Sequence, residues 1–122
     1  MSDTAPLLST LENYLKLTTV RERTLSGNMA NVDTPGYHTR DINFQAELHR
    51  AVFTTGADGE PTAQLSPVAG EVSGLMERAD GNNVDLDRES LLMAETQLQY
   101  QMGIQLIKRQ FHEMLSAING GN

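Results

Sequence analysis

The fold of this chain depends on one ten-residue stretch, Asn28-Met29-Ala30-Asn31-Val32-Asp33-Thr34-Pro35-Gly36-Tyr37. Apolar residues recur at helical spacing before this stretch, and its second half contains residues that end a helix. Pro35 lacks an N–H group and disfavours helical geometry at Thr34, whereas Gly36 can adopt a positive φ. Pro followed by Gly suits the central positions of a type II turn. The stretch therefore predicts a long helix that ends in a tight turn.

The first predicted helix runs from about Leu7 to Val32. Its stripe of residues at three- and four-residue spacing consists of Leu8, Leu11, Leu15, Thr18, Glu22, Leu25, Met29 and Val32. The β-branched residues Thr18, Thr19 and Val20 lower the helix propensity near its middle. We therefore expect one long helix with a weak centre that permits a bend or an interruption.

The middle of the chain predicts less regular structure. Asp41 is a candidate N-cap for a short helix with an apolar face around Phe44 and Leu48, and Gly56 closes that region. Residues 54–83 are rich in glycine, proline and acidic residues, which predicts an irregular segment. Short β segments are expected between Glu71 and Arg78.

The C-terminal region carries the strongest helical pattern. Asp85 is a suitable N-cap, and Asp87 and Glu89 place negative charge in the first turn, where the helix dipole favours it. A stripe at helical spacing continues without interruption through Leu86, Ser90, Met93, Gln97, Tyr100, Ile104, Ile107, Phe111, Met114 and Ile118. A second apolar flank contains Leu91, Leu92, Leu98, Met102, Leu106 and Leu115. A helix from Leu86 to Ile118 would be about 50 Å long.

Two long amphipathic helices at the chain ends predict an antiparallel pair. The N-terminal helix covers one flank of the C-terminal helix, and the second flank lacks a partner within the sequence. This mismatch points to self-assembly or to docking with related subunits. A folded-back three-helix bundle, in which the short middle helix covers the second flank, is the alternative and is equally compatible with the pattern.

Composition excludes several classes of function. The formal net charge of −7 argues against a nucleic-acid surface, which requires clustered Lys and Arg. The absence of cysteine rules out disulfides and thiolate metal sites. No apolar run reaches the roughly 18–20 residues of a membrane span, and the N-terminal residues lack the pattern of a Sec signal peptide.

The sequence shows no arrangement of catalytic or metal-binding residues. His38, His49 and His112 do not share the helical spacing of a zinc site, and no glycine-rich phosphate loop is present. Ser26 and Ser90 have no local His–acid partner. We therefore expect no enzyme activity, no metal, no cofactor and no small-molecule substrate.

Two motifs resemble those of flagellar rod and hook proteins. Residues 28–37 match their Asn-x-Ala-Asn-x-x-Thr-x-Gly-Tyr signature without a gap, and Arg40-Asp41-Ile42-Asn43-Phe44 extends the match. The second motif is Gly81-Asn82-Asn83-Val84-Asp85-Leu86-Asp87-Arg88-Glu89, followed by residues 94–100. In both motifs the sequence is most similar to proximal-rod proteins of the FlgB type. The resemblance covers nearly the whole chain outside residues 54–80.

The resemblance implies a structural subunit of the bacterial flagellar basal-body rod in the periplasm, exported by the flagellar type III apparatus without a Sec signal. The fold it implies is mainly α, with paired N- and C-terminal helices, a short middle helix and an irregular loop region. Residues 1–33, 34–83 and 84–122 are then three parts of a single domain. The implied partners are other copies of the chain, other flagellar rod proteins and the export-gate adaptor at the rod base.

Three groups of residues carry the predicted roles. The assembly motif is Asn28, Ala30, Asn31, Thr34, Pro35, Gly36 and Tyr37. Helix packing and subunit contacts are assigned to Leu11, Leu15, Leu25, Met29, Leu98, Tyr100, Ile104, Ile107, Phe111 and Met114. The entry into the C-terminal helix is formed by Asn82, Asn83, Asp85 and Asp87. An adaptor or export chaperone that binds a partner helix through the same apolar stripe is the alternative function.

Overall fold

A computed structural model describes residues 4–53 and 67–120 of the chain. Its elements, in chain order, are α1 (Thr4–Ala30), β1 (Arg40–Asp41), α2 (Phe44–Phe53), β2 (Gly70–Glu71) and α3 (Leu86–Ile118). The predicted fold is confirmed: it is mainly helical, with two long terminal helices and a short middle helix. None of the described helices is both long enough and apolar enough to cross a lipid bilayer.

Helix α1 passes through its predicted weak centre without a break. The hydroxyl groups of Thr18 and Thr19 both donate to the carbonyl oxygen of Leu15, at 2.7 and 3.0 Å. These bonds satisfy the hydroxyls inside the helix, including that of the fully buried Thr18. The helix ends at Ala30, two residues before the predicted end, where the N–H of Val32 donates to the carbonyl of Met29 in a tighter turn.

Helices α1 and α3 pack as the predicted antiparallel pair. The end of α1 lies beside the start of α3, where Asn28 contacts Glu89, and the middle of α1 meets Gly103. The buried residues of α3 are Glu89, Thr96 and Gly103, which are spaced by seven. Three of the six buried residues of α1, Leu11, Thr18 and Leu25, repeat at the same interval. The interface is therefore a heptad seam that mixes apolar, polar and small residues.

Helix α2 packs against α1, where the rings of Tyr14 and Phe44 meet edge to face with centroids 5.6 Å apart. The prediction that Asp41 caps α2 is wrong. The side chain of Asn43 takes that role, because its Oδ1 accepts from the N–H of Ala46 at 3.2 Å. The Asp41 carboxylate instead accepts two bonds from the Arg21 guanidinium, at 3.2 and 3.1 Å, in a largely buried ion pair.

The position of α2 decides between the two packing alternatives. Because α2 lies on α1, it does not cover the face of α3 that points away from α1. Leu91, Leu98 and Met102 on that face are 69%, 61% and 62% exposed. In the described part of the chain, most of the second flank of α3 is therefore uncovered, and the three-helix-bundle alternative does not hold.

The irregular segment returns to the helix pair through two short strands. Arg40 pairs with Glu71 and Asp41 with Gly70 in an antiparallel ladder, and the N–H of Val72 donates to the carbonyl of Thr39 at 2.9 Å. The β structure expected between Glu71 and Arg78 is thus limited to Gly70–Glu71. The predicted closure at Gly56 lies outside the described residues.

Candidate assembly site

The two sequence motifs pack directly against each other at one end of the helix pair. The N–H of Gly36 donates to the carbonyl of Asp80 at 2.9 Å, and the N–H of Asn83 donates to the carbonyl of Tyr37 at 3.2 Å. A Cβ atom on Gly81 would lie 3.3 Å from the Cα of Gly36, which shows how closely the backbones approach. We call this contact region, formed by residues 28–41 and 78–89, the motif joint.

The predicted turn at the end of the first motif is present. The N–H of Tyr37 donates to the carbonyl of Thr34 at 3.2 Å, and Gly36 has a φ of 76°. This is the positive φ that the third residue of a type II turn requires. The turn brings Tyr37 back towards α1, where its hydroxyl donates to Oδ1 of Asn28 at 2.9 Å.

Asn28 is the hub of the motif joint. It is fully buried, and its Nδ2 donates to the carbonyl of Arg40 at 2.7 Å and to Oε2 of Glu89 at 3.0 Å. Its Oδ1 accepts from the N–H of Arg40 at 3.0 Å, in addition to the bond from Tyr37. An asparagine amide offers two donors and two acceptor positions, so every one of them is used.

Glu89 joins α3 to this hub. Its side chain is fully buried, and while Oε2 accepts from Asn28, Oε1 accepts from Nη1 of Arg88 at 2.9 Å. A buried carboxylate is costly unless it is paired and hydrogen-bonded, and both conditions hold for Glu89. The sequence analysis identified Glu89 only as a charge near the helix dipole. The only indication in the sequence that Glu89 is buried is its seven-residue spacing from Thr96 and Gly103, which places the three residues on one side of the helix.

Asn82 closes the C-terminal end of α1. Its side chain is fully buried, and Nδ2 donates to the carbonyls of Asn31 and Thr34 at 2.9 and 2.8 Å. Its Oδ1 accepts from the N–H of Val84 at 2.8 Å. Asn31 and Thr34 follow the last residue of α1, so this side chain from the second motif holds the turn that comes after the helix.

Arg78 adds a second tie at the same helix end. Its guanidinium donates to the carbonyl of Val32 and, at 2.9 Å, to the carbonyl of Val84. The sequence analysis named Arg78 only as the boundary of an expected β segment. Its role depends on a turn, in which the N–H of Gly81 donates to the carbonyl of Arg78 at 2.9 Å.

Asn83 and Asp85 complete the entry into α3. Oδ1 of Asn83 accepts from the N–H of Thr39 at 2.6 Å, and the hydroxyl of Thr39 donates to the carbonyl of Asn83. Asp85 is the N-cap, as predicted, because its side chain accepts from the N–H groups of Asp87 and Arg88. Asp87 is exposed in the first turn of the helix.

Known proteins are similar in sequence to this chain over almost its whole length. The flagellar basal body rod protein FlgB of Escherichia coli (strain K12) is 34% identical over 126 residues, which covers 91% of each chain. FlgB of Salmonella typhimurium is 35% identical over 129 residues, again with 91% of each chain. This chain belongs to the FlgB family. FlgB of Bacillus subtilis is 27% identical over 93% of this chain and 94% of its own. No family model matches the chain.

The remaining assembly-motif residues of this FlgB-family chain are less enclosed. Ala30, Thr34 and Pro35 are exposed, whereas the side chain of Asn31 is half-buried. Asn31 donates to the carbonyl of Gly27 at 2.8 Å and accepts from the hydroxyl of Thr34 at 3.0 Å. These bonds are within the turn of a single chain. Contacts of these residues with another subunit therefore stay a prediction.

The predicted packing residues divide by burial. Leu11 and Leu25 are buried. Those that are half-buried are Leu15, Met29, Ile104, Ile107 and Met114. Leu98, Tyr100 and Phe111 are exposed. The exposed residues remain predictions for contacts between subunits, because they do not contribute to the buried interior of the described chain.

His38 holds the returning segment by two acidic contacts. Its Nε2 lies 2.7 Å from Oε1 of Glu77, and its Nδ1 lies 3.5 Å from Oε2 of Glu71. Both ring nitrogens thus face carboxylates, an arrangement that the doubly protonated ring satisfies best. The hydrogen bonds to Glu77 and then to Glu71 raise the pKa of His38 above its ordinary value.

This cluster predicts a pH dependence. Because the folded-state pKa is raised, His38 contributes stability that is complete below its unfolded-state pKa of about 6.5 and is lost as the pH rises through the folded-state pKa. We expect Glu77→Gln to lower the pKa of His38 more than Glu71→Gln does, since Glu77 is nearer. An NMR titration of the ring protons measures this, with Glu95→Gln on α3 as the control. If His38 had the same pKa in the original chain and in all three variants, the prediction would be contradicted.

Among the described residues, no group of three or more His, Cys, Asp or Glu side chains is placed to hold a metal ion. The polar groups of the motif joint bond mainly to backbone atoms and to each other. What this arrangement can do is fix the end of α1, the turn and the start of α3 in one geometry.

Proposed function

We propose that this chain is a structural, non-enzymatic subunit of the flagellar proximal rod. It assembles with other copies and with other axial proteins through α1 and α3, and the assembled subunits form a hollow shaft that transmits torque. The observation that carries the proposal is the combination of a polar joint at one end of the helix pair with an uncovered apolar face along α3. FlgB membership supports the rod assignment.

The uncovered face supports assembly. Large apolar side chains are exposed from the first turns of α3 to its last turn, at Leu91, Leu98, Met102, Phe111, Leu115 and Ile118. These side chains occupy two sides of the helix, Leu91, Leu98 and Met102 on one and Phe111, Leu115 and Ile118 on the other. So many exposed large apolar side chains on one helix of a charged chain are typical of protein–protein contacts. In the proposed rod, neighbouring subunits cover these side chains.

The motif joint supports the mechanical role. A subunit that transmits torque needs its two wall-forming helices to move together, since independent motion would dissipate the applied twist. Asn28, Asn82 and Glu89 are all fully buried and connect α1, the turn and α3 through hydrogen bonds between side chains and backbone. Such bonds hold the relative position of the two helices more strictly than apolar packing alone.

The proposed surroundings follow from the same assignment. The chain leaves the cytoplasm through the flagellar type III export apparatus, joins the rod in the periplasm and contacts the export-gate adaptor at the rod base. The alternative is an adaptor or export chaperone, which would hold one partner helix on α3 and would not become part of the shaft.

The deciding experiment locates the chain in the bacterium that encodes it. Deletion of its gene should abolish swimming, and a plasmid copy should restore it. Mass spectrometry of purified hook–basal bodies should then detect the chain as a stable component. If basal bodies contain complete rods without the chain, while the chain stays in the cytoplasm bound to one partner, the adaptor function replaces the rod function.

The turn at Gly36 provides a prediction for assembly. Gly36→Val should block swimming, because a β-branched residue strongly disfavours the φ of 76° and the turn carries the contact with the second motif. The matched control is Gly70→Val, since Gly70 lies in a strand without positive φ and has open space at its Cβ position. Swimming on soft agar measures both variants. Normal swimming of Gly36→Val would show that the turn geometry is dispensable.

A further inference from the structure

Helix α3 ends in an asparagine followed by a glycine. Asn119 is the C-cap of the helix, and Gly120 has a φ of 72°. Both residues are exposed, and this dipeptide occurs once in the sequence. Because glycine has no side chain, nothing on Gly120 obstructs the approach of its backbone nitrogen to the side chain of Asn119. This nitrogen and Cγ of Asn119 are the two atoms that join in spontaneous deamidation.

The reaction needs no co-reactant other than water. The backbone nitrogen of Gly120 loses its proton to hydroxide and attacks Cγ of Asn119. A carbon–nitrogen bond forms, the bond from Cγ to the side-chain nitrogen breaks, and that nitrogen leaves as ammonia after taking a proton from water. Water then opens the resulting five-membered succinimide ring at either carbonyl, which leaves aspartate or isoaspartate at position 119. Overall, water is consumed and ammonia is released.

The end of α3 holds the reacting nitrogen away from its target while the last turn is closed. The N–H of Gly120 donates to the carbonyl of Ala117 at 3.2 Å, and a ψ of 19° at Asn119 turns the Gly120 nitrogen away from the Asn119 side chain. The turn must therefore open before the ring can form. None of residues 104–118 is buried, so opening the last turn unpacks no core side chain.

The other asparagines of the described residues are better protected. Asn28 and Asn82 are fully buried, and their side-chain amides are engaged in hydrogen bonds. Asn43 is exposed, but the side chain of Phe44 obstructs the approach of the next backbone nitrogen. Each of the remaining asparagines described also precedes a residue with a side chain. Asn119 is therefore the described asparagine that is most open to ring closure.

We infer that Asn119 is a site of spontaneous modification, at which the free protein acquires aspartate or isoaspartate and the last turn of α3 is lost. Both products place a negative charge at the C-terminal end of the helix, where the helix dipole disfavours it. Isoaspartate also adds a methylene group to the main chain. That insertion displaces the N–H of Gly120 from the carbonyl of Ala117 and removes a bond that closes the turn.

The modification has a consequence for assembly, which rests on the proposed function. Ile118 is 72% exposed and is one of the apolar side chains assigned to contacts with neighbouring subunits. When the last turn opens, Ile118 leaves its helical position. In an assembled rod, neighbours that cover Ile118 would keep the turn closed. Modified chains should therefore accumulate among subunits that have not assembled.

Peptide mass spectrometry tests the site in the purified full chain. After incubation at mildly alkaline pH, trypsin releases the peptide that begins at Gln110, and deamidation raises its mass by about 1 Da. This signal should grow with time and should be absent from Asn119→Gln. Asn43 is the control within the same chain, because it is exposed but precedes Phe44. Deamidation at Asn43 as fast as that at Asn119 would overturn the inference.

A second pair of variants tests whether the last turn controls the reaction. Ala117→Gly favours the open turn, so Asn119 should deamidate up to about fivefold faster in this variant than in the original chain. The matched control is Ala94→Gly, because Ala94 is also exposed on α3 but lies near its other end. The rate at Asn119 should not change in that variant. Equal rates in all three proteins would overturn control by the last turn.

The consequence for assembly is measured separately. The deamidated fraction at Asn119 should be lower in chains from purified hook–basal bodies than in unassembled chains from the same cells. Equal fractions would overturn protection by neighbouring subunits, while the result with the purified chain would still decide whether Asn119 is a modification site. Absence of the chain from basal bodies would contradict the proposed function and not the chemistry at Asn119.

Discussion

Replacing Asn28 with alanine should lower the free energy of unfolding by about 3–5 kcal/mol. The substitution removes four hydrogen bonds from a fully buried site. It leaves the N–H and carbonyl of Arg40 without their partner and removes one of the two groups that bond to the buried Glu89 carboxylate. Urea denaturation followed by circular dichroism measures the loss.

A control variant separates the loss in stability at the buried Asn28 from the loss that replacing any hydrogen-bonded asparagine would cause. Asn43 is exposed and caps α2, so Asn43→Ala should cost only about 1 kcal/mol. Combining Asn28→Ala with Glu89→Gln should cost less than the sum of the two single changes, because the two residues share a hydrogen bond. If the double variant lost the sum of the two single losses in free energy of unfolding, the bond between Asn28 and Glu89 would not stabilise the fold. A loss for Asn28→Ala no larger than that for Asn43→Ala would contradict the prediction in the same way.

Replacing Gly103 with leucine should destabilise the chain by about 3 kcal/mol through overpacking. Gly103 is buried between the two long helices, and even a Cβ atom there would lie 2.7 Å from Cδ2 of Leu15 and 3.1 Å from Cδ1 of Tyr14. Leu15 and the Tyr14 ring can shift to admit one methyl group, but a full leucine side chain requires the helices to separate.

The matched control is the same substitution at Gly27. That glycine also lies in a long helix, but its Cβ position is open. Because leucine has a higher helix propensity than glycine, Gly27→Leu should stabilise the chain by up to about 1 kcal/mol. Thermal unfolding of both variants measures the contrast. If Gly103→Leu and Gly27→Leu changed the free energy of unfolding in the same direction, the close approach of the helices at Gly103 would have no effect on stability.

The parts of the fold that depend on local chemistry could be predicted from the sequence. Helix α3 has the predicted bounds, because Asp85 caps it and the apolar spacing runs to Ile118. The turn at Gly36 follows from Pro and Gly chemistry. The helix pairing follows from the amphipathic patterns of the two chain ends.

The contacts of the motif joint were not predictable in the same way. The face of α3 that packs against α1 contains Glu89, Thr96 and Gly103. Because none of these is a large apolar residue, a helical pattern of apolar residues does not identify this face. The stripe found from apolar spacing contains Gln97 and Ile104, which lie one residue beyond the buried positions. The partners of Asn28 come from two separate segments, residues 37–40 and the start of α3, so no local pattern reveals them.

The cap of α2 shows a further limit. Asp41 and Asn43 are both acceptable N-caps by residue type, and the choice between them depends on Arg21, twenty residues earlier in the chain. The guanidinium holds the Asp41 carboxylate, and the helix begins at Phe44 with Asn43 as its cap. A long-range ion pair therefore sets a local boundary.

The heptad seam is anchored at one end only. All the described hydrogen bonds between side chains of α1 and α3 lie at the motif joint, and none of the residues from 104 to 118 is buried. Buried hydrogen bonds therefore hold the helix pair at the motif joint, and packing alone holds it further along. We expect the far end of the pair to adjust more readily to neighbouring subunits of different shape than the joint does.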